Sequence, residues 1–301
     1  MNRLDLGRLI ASLIREHQDE DTEPWTQEKL AEEANRAAGA EHFTRAIIGS
    51  IERGERAGDQ LTLEALATAL QLTSGERKEF FLAASGIDNE RIARPESDPE
   101  KVLAQLIDRM KQSYLPAHII DPYCDVVAVN ASLIELLDLE SAPSRHSDTS
   151  PFRLNRLRFF FSEEGKAHYD QIMEHDWADH AYQSMMLFRT FSLRYRSTEY
   201  FQILLAELRK HRLFRRYWHD VYLDERDLFA DSRHMRLNSP KWGLTAYFST
   251  YLTALTTAGE LHLCVYVPAS QNTVDVFSQI VQKVGAQTVL KTGSWPKKGL
   301  P

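Results

Sequence analysis

The sequence predicts a two-domain chain: an all-helical N-terminal domain, then an α+β domain built on one antiparallel sheet. Three observations predict it. Apolar residues recur at helical spacing from Leu4 to Leu82. Residues 87–100 are polar, hold Pro95 and Pro99, and break that pattern as a linker does. Beyond them come two strand-like runs, an aromatic-rich helical block and three more strand-like runs. These set a helical domain over 1–88, a linker over 89–100, an α+β domain over 101–285 and a tail over 286–301. Gly293, Pro296 and Gly299 predict that the tail frays.

Leu4, Leu6, Leu9, Ile10, Leu13 and Ile14 form the buried stripe of a first helix. Thr26 caps a second helix carrying Gln27, Lys29, Leu30, Ala31 and Ala34. A third starts at Thr44, turning Ile47, Ile48 and Ile51 inward and Arg45, Ala46 and Ser50 outward. Gly54 stops it, with Arg53 and Arg56 at its end. The connection from Asn35 to Phe43 is long and either extends a flanking helix or forms a wing. Leu61–Leu70 gives a fourth helix with Thr62 as its cap. Ser74-Gly75-Glu76-Arg77 opens a fifth, bearing Phe80, Phe81 and Leu82.

In the second domain, Ala117–Asp121 and Asp125–Asn130 read as strands joined by a Pro122-Tyr123 turn, with a helix over 131–138. Residues 151–220 are helical in period and dense in aromatics. Leu228–Leu237, Leu244–Leu255 and Leu261–Val267 are the late strands. Thr257-Ala258-Gly259-Glu260 makes the last two a hairpin, and 273–284 is a closing helix.

Composition and charge narrow the function classes. At 43% hydrophobic and 26% charged, 301 residues suffice for two folded cores. No apolar run approaches the roughly 18–20 residues of a membrane span, and the start of the chain lacks the apolar core of a signal peptide. Cys124 and Cys264 lie in apolar runs, as buried reduced thiols of a cytoplasmic protein do. The net charge is −7, and it is uneven: residues 1–88 hold 10 Lys and Arg against 17 Asp and Glu, while residues 89–301 hold 26 of each. Many of those acids cluster in Asp19-Glu20-Asp21 and Glu23. Yet the short helix from Thr44 has a small, Arg-bearing outer face suited to a DNA major groove. Phosphate binding depends on local potential, and residues 44–56 set Arg45, Arg53 and Arg56 against Glu52 and Glu55. Weak single-module affinity and a homodimer are the expectation.

Two family resemblances follow from these residues. Residues 3–85 resemble the XRE (Cro/repressor-type) helix-turn-helix domain. The residues concerned are Gln27-Glu28-Lys29-Leu30-Ala31, Ile48, Ile51-Glu52-Arg53-Gly54 and Leu63–Leu70. The resemblance implies a phosphate contact at Gln27 and base contacts at Arg45, Ala46 and Ser50. It implies backbone contacts at Thr44, Arg53 and Arg56. The long Asn35–Phe43 connection departs from compact members. Residues 101–285 resemble the ligand-binding domain of MmyB-like regulators, a PAS-like fold that follows an XRE domain. Here the residues are Pro116–Asp121, Asp125–Asn130, Asn155-Arg156-Leu157-Arg158-Phe159-Phe160-Phe161, Tyr200–Asp220 and Leu263–Pro268. That implies a DNA-binding transcription regulator sensing a small, often lipid-like molecule.

The aromatic block supplies candidate ligand-binding residues: Phe159, Phe160, Trp177, Met185, Phe188, Phe191, Phe201 and Trp218. The late sheet adds Phe248, Tyr251, Cys264 and Tyr266. Their first use is as core. Helices over one sheet also leave apolar cavities, and methionine walls adapt to flexible ligands, so an apolar, fatty-acid-like molecule is the expected ligand. The alternative is a solid-cored dimerisation or partner-binding module. His168, His175 and His180 do not have the i, i+4 spacing of a metal pair, and no histidine stands out for haem. No phosphate-binding glycine loop and no acid/base constellation assemble, and Glu163-Glu164 and Asp224-Glu225 read as solvated caps. The basic run from Arg209 to Arg216 reads as a helix flank salt-bridged near Glu207 and Asp220. No enzyme, metal or cofactor is expected.

Overall fold

The computed structural model describes residues 3–17, 24–56, 58–85, 95–140, 152–173, 176–222, 235–285, 288–291, 293 and 295–296. The acidic cluster at 19–23, His175, Asp224-Glu225 and most of the Leu228–Leu237 strand lie outside the described residues, as does the first half of the linker. The chain forms two compact units: Met1–Arg94 with Arg189–Ile203 and Asp220–Glu225, and Pro95–Phe188 with Leu204–His219 and Arg226–Pro301.

The first unit holds α1 (Arg3–Glu16), α2 (Gln27–Ala38), α3 (Arg45–Glu52), α4 (Gln60–Ala69) and α5 (Ser74–Ala84). Their stripes meet in one core of Leu9, Ile10, Leu13, Leu30, Ile48, Ile51, Leu66, Leu70 and Phe80. Thr26 caps α2 and Thr44 caps α3, each accepting from the third backbone N–H of its helix. The fourth helix corrects the sequence reading. Asp59 caps it, accepting from Thr62 N at 2.8 Å, and Thr62 is buried inside the first turn. Thr73 and Glu76 close a capping box on α5. The long connection is resolved by one side chain. α2 runs on to Ala38 and ends at Gly39 in the left-handed region (φ 65°). Asn35 then accepts from His42 N (2.7 Å) and Phe43 N (2.6 Å) and donates to the Phe43 carbonyl (2.9 Å). The extra residues extend helix two and fold back on it, and no wing forms.

The second unit is an α+β domain on a six-stranded antiparallel sheet of order β3-β4-β5-β1-β2-β6. The strands are β1 (Ala117–Ile120), β2 (Val126–Asn130), β3 (Met235–Ser239), β4 (Gly243–Thr256), β5 (Gly259–Pro268) and β6 (Val289–Lys291). A helix α6 (Pro99–Ser113), for which the sequence reading made no assignment, packs Val102, Leu103, Leu106 and Met110 against Ala117, Ile119, Leu261 and Leu263. The tail is also corrected. Val289–Lys291 pairs with β2, and Trp295 is buried in the α6 core. The remaining helices are α7 (Ala131–Leu136), α8 (Arg156–Phe161), α9 (Glu163–Met173), α10 (Trp177–Ser192), α11 (Glu199–Leu208), α12 (Arg212–Asp220) and α13 (Gln271–Val284). Ahead of α12, Lys210 and Arg158 both pair with Glu207. No described helix is long and apolar enough to cross a membrane.

Candidate ligand cavity and nucleic-acid face

Two asparagines set the geometry of the second unit's cavity. Asn130 ends β2 and caps α7 through Leu133 N (3.0 Å), while also accepting from Ala117 N (3.0 Å) on β1. Asn155 donates to the Tyr123 carbonyl and to Asp125 Oδ1, both at 2.8 Å. It also caps α8 by accepting from Leu157 N and Arg158 N. The β1–β2 turn is thereby pinned to the first turn of α8, whose first residue is Arg156.

Arg156 lines a cavity of about 170 Å³ whose lining residues all belong to the second unit. Much of the wall is apolar: Val126, Val129, Leu133, Leu137, Phe159, Phe160, Met173 and Leu187. One pole is polar. There Arg156 meets His118 of β1, His180 and Ser184 of α10, and Tyr247, Tyr251 and Tyr266 of β4 and β5. Alternation along the strands puts these on the sheet face opposite Ile119 and Leu263. Among the described residues, Arg156 bonds Ser184 Oγ (3.2 Å) and no carboxylate lies within ion-pairing distance. Among the described residues, neither ring nitrogen of the buried His118 has a hydrogen-bond partner, nor has His180 Nε2.

The neighbours of Arg156 are held neutral. Burial, and then Arg156 itself, lower His118 and His180 to about 3. Burial pushes the Cys124 thiol up to about 12 and Cys264 to about 11, and drives the Tyr247, Tyr251 and Tyr266 hydroxyls above their usual range. A guanidinium is always charged. Arg153 also lines the cavity, so the site offers fixed cations and neutral donors, which is the complement of an anion.

Residues 100–279 match the family model described as the MmyB-like transcription regulator ligand binding domain, well over half of the chain. The chain belongs to this MmyB-like family. It is thus a transcription regulator with a ligand-binding domain. No curated protein matches it.

In this MmyB-like regulator, four of the twelve residues predicted to bind the ligand line the cavity: Phe159, Phe160, Tyr251 and Tyr266. The others are placed elsewhere. Trp177 stacks on Phe160 (5.4 Å between centroids) and, with Met185, Phe188 and Trp218, fills the core of the helical block. Phe191 and Phe201 belong to the first unit. Phe248 is on the outer face of β4 and partly exposed. Cys264 is buried opposite Tyr251 without reaching the cavity. An aromatic list cannot tell a wall from the packing behind it. The sequence reading names Arg156 and His118 only within family-like stretches and His180 only as a rejected metal ligand, because their signal as cavity residues is a missing partner and only coordinates show it. His168, by contrast, bonds the Leu137 carbonyl (2.9 Å). Among the described residues no group of His, Cys, Asp and Glu gathers around a metal position.

On the first unit, Thr44, Arg45 and Ala46 are exposed at the start of α3 and Arg53 and Arg56 exposed at and beyond its end, while Gln27 and Ser50 are half-buried. Three carry a carboxylate. Arg45 pairs with Glu28 at 3.0 Å, Arg53 forms a fork with Glu55 at 2.8 and 2.9 Å, and Gln27 donates to Glu52.

Proposed function

We propose that this chain binds operator DNA as a homodimer through α3, and that its cavity takes an amphiphile with an apolar chain and an anionic head. The XRE-like pattern supports the first part. It puts Arg45 and Ala46 on an open helix face, and modules of this kind read symmetric half-sites in pairs. The second part is carried by one observation: a half-buried guanidinium, without a carboxylate partner among the described residues, in the wall of a largely apolar cavity. Leaving such a charge alone is costly, and a ligand carboxylate or phosphate removes the cost. The apolar wall takes the rest of the molecule.

Thermal stability of the full chain against matched twelve-carbon probes tests this. Dodecanoate should stabilise the protein and bind about 10–100-fold more tightly than dodecanol, since a charge-assisted bond is worth about 1.5–3 kcal/mol. Arg156→Met should abolish the preference without abolishing dodecanol binding. Equal affinity for acid and alcohol in the wild-type chain would rule out the anionic head. No binding of either would favour a solid-cored module.

A further inference from the structure

Helix α10 contributes to both units. Its residues Trp177–Phe188 belong to the second, where Gln183, Ser184 and Leu187 line the cavity. Its last turn, Arg189–Ser192, and the 3-10 turn Leu193–Tyr195 belong to the first. All of these lie inside the range matched by the ligand-binding family model.

Within the first unit this segment is structural. Leu193 is fully buried in the core formed by α1–α5. Glu76, fully buried on α5, accepts from Arg189 Nε (2.9 Å) and from Arg196 Nη2. Arg196 also donates to Glu16 Oε2 at the end of α1 (2.9 Å), and Arg189 to the Gln71 carbonyl (3.0 Å). Two guanidinium groups face two carboxylates, all of them buried. Such an arrangement tolerates one register and penalises others, because a shift strands a buried charge. Burial pushes the Glu76 carboxyl up, but Arg189 and Arg196 outweigh it and hold it at about 2. Gly75 tightens the fit. A Cβ there would come 2.3 Å from Thr190 Oγ1, so any larger residue would force the Thr190 side chain to move.

The geometry points to α10 as the transmission element: we infer that occupancy of the cavity is read on the DNA-binding unit through the Arg189/Arg196–Glu76–Glu16 cluster. Helix α10 carries cavity wall at Ser184 and Leu187 and, within two turns, Arg189, which bonds Glu76 of α5; Arg196, just past the 3-10 turn that follows, bonds Glu76 and Glu16 of α1. A shift of α10 in response to its cavity face therefore acts on Glu76, which also closes the N-terminus of α5. The inference rests on the proposed ligand cavity for its natural stimulus only.

The test is hydrogen exchange across the full chain, with two stimuli. Ser184→Phe fills the cavity from α10 without any ligand, Leu187→Phe replaces it if that chain fails to fold, and dodecanoate is the small-molecule probe. Each is applied to the wild-type chain and to Glu76→Gln, which keeps the size of the side chain and removes its charge. In the wild-type background, exchange in Arg3–Glu16 and Ser74–Ala84 should change by about fivefold or more. The change should largely vanish with Glu76→Gln. No change in these helices in the wild-type background, or an equal change in both, overturns the inference. Transmission from Ser184→Phe with no dodecanoate binding would keep the coupling and remove the anionic-ligand reading. Dodecanoate binding with α1 and α5 unmoved would do the opposite.

Discussion

Arg45 leaves the first turn of α3 with its guanidinium 3.0 Å from Glu28, and both side chains are largely exposed. In water such a pair is worth little, so DNA can break it, but each broken pair subtracts from binding. On the proposed reading, Arg45 bonds guanine bidentately, whereas Arg53, beyond the helix end, contacts phosphate. In operator titrations, Arg45→Ala should lose most of the preference for a matched over a scrambled site. Arg53→Ala should weaken both alike, and Glu28→Gln should tighten both by up to about fivefold. If Arg45→Ala and Arg53→Ala show the same ratio of matched to scrambled affinity, α3 does not read bases through Arg45. At this scale the sequence was informative where the backbone decides position, as for Thr44, Arg45 and Ala46 on an exposed helix start. It was uninformative for Arg156, whose meaning depends on partners up to about a hundred residues away.

Among the elements, α3 is seated through a close approach of its backbone to α1. A Cβ on Gly7 would sit 1.9 Å from the Glu52 carbonyl oxygen, a backbone atom that cannot swing aside. Gly7→Ala should therefore destabilise the first unit by about 1–3 kcal/mol. It should also weaken DNA binding beyond what stability explains, because α3 must shift. Denaturant melts with operator titrations check it, and a fully stable variant with normal affinity would refute the seating. The helices were legible because apolar spacing and capping side chains are local properties. The misses have local causes too. Asp59 and Thr62 can both cap, and only burial of Thr62 chooses between them. α6 was hidden behind the prolines of the linker, although Val102, Leu106 and Met110 keep helical spacing. Three residues, Val289–Lys291, are too short a run to declare a strand without their partner.

For the whole molecule, pH reports how much neutral histidine each unit buries. Burial lowers His17 to about 4, against its hydrogen bond to the Leu70 carbonyl, and lowers His118, His180 and His262 to about 3. Below an ordinary histidine pKa of about 6.5, the unfolded chain takes up protons that the folded chain refuses. Stability is thus full above that value and falls as pH drops toward 4, by up to about 1.4 kcal/mol per pH unit for each group. Glu76 adds a further loss only between about 4.5 and 2. Denaturation midpoints measured from pH 7.5 to 5 should fall steadily, and a flat profile would mean that these rings are solvated. The short strand β6 has a consequence for anyone shortening the chain. The family match ends at residue 279, which invites a cut soon after α13. Such a cut would strip β6 from β2, bare the backbone of Ala128–Asn130 and remove Trp295 from the α6 core. The sheet would gain an open edge ready to recruit the same edge of another molecule, and the trimmed protein should aggregate more readily than the full chain.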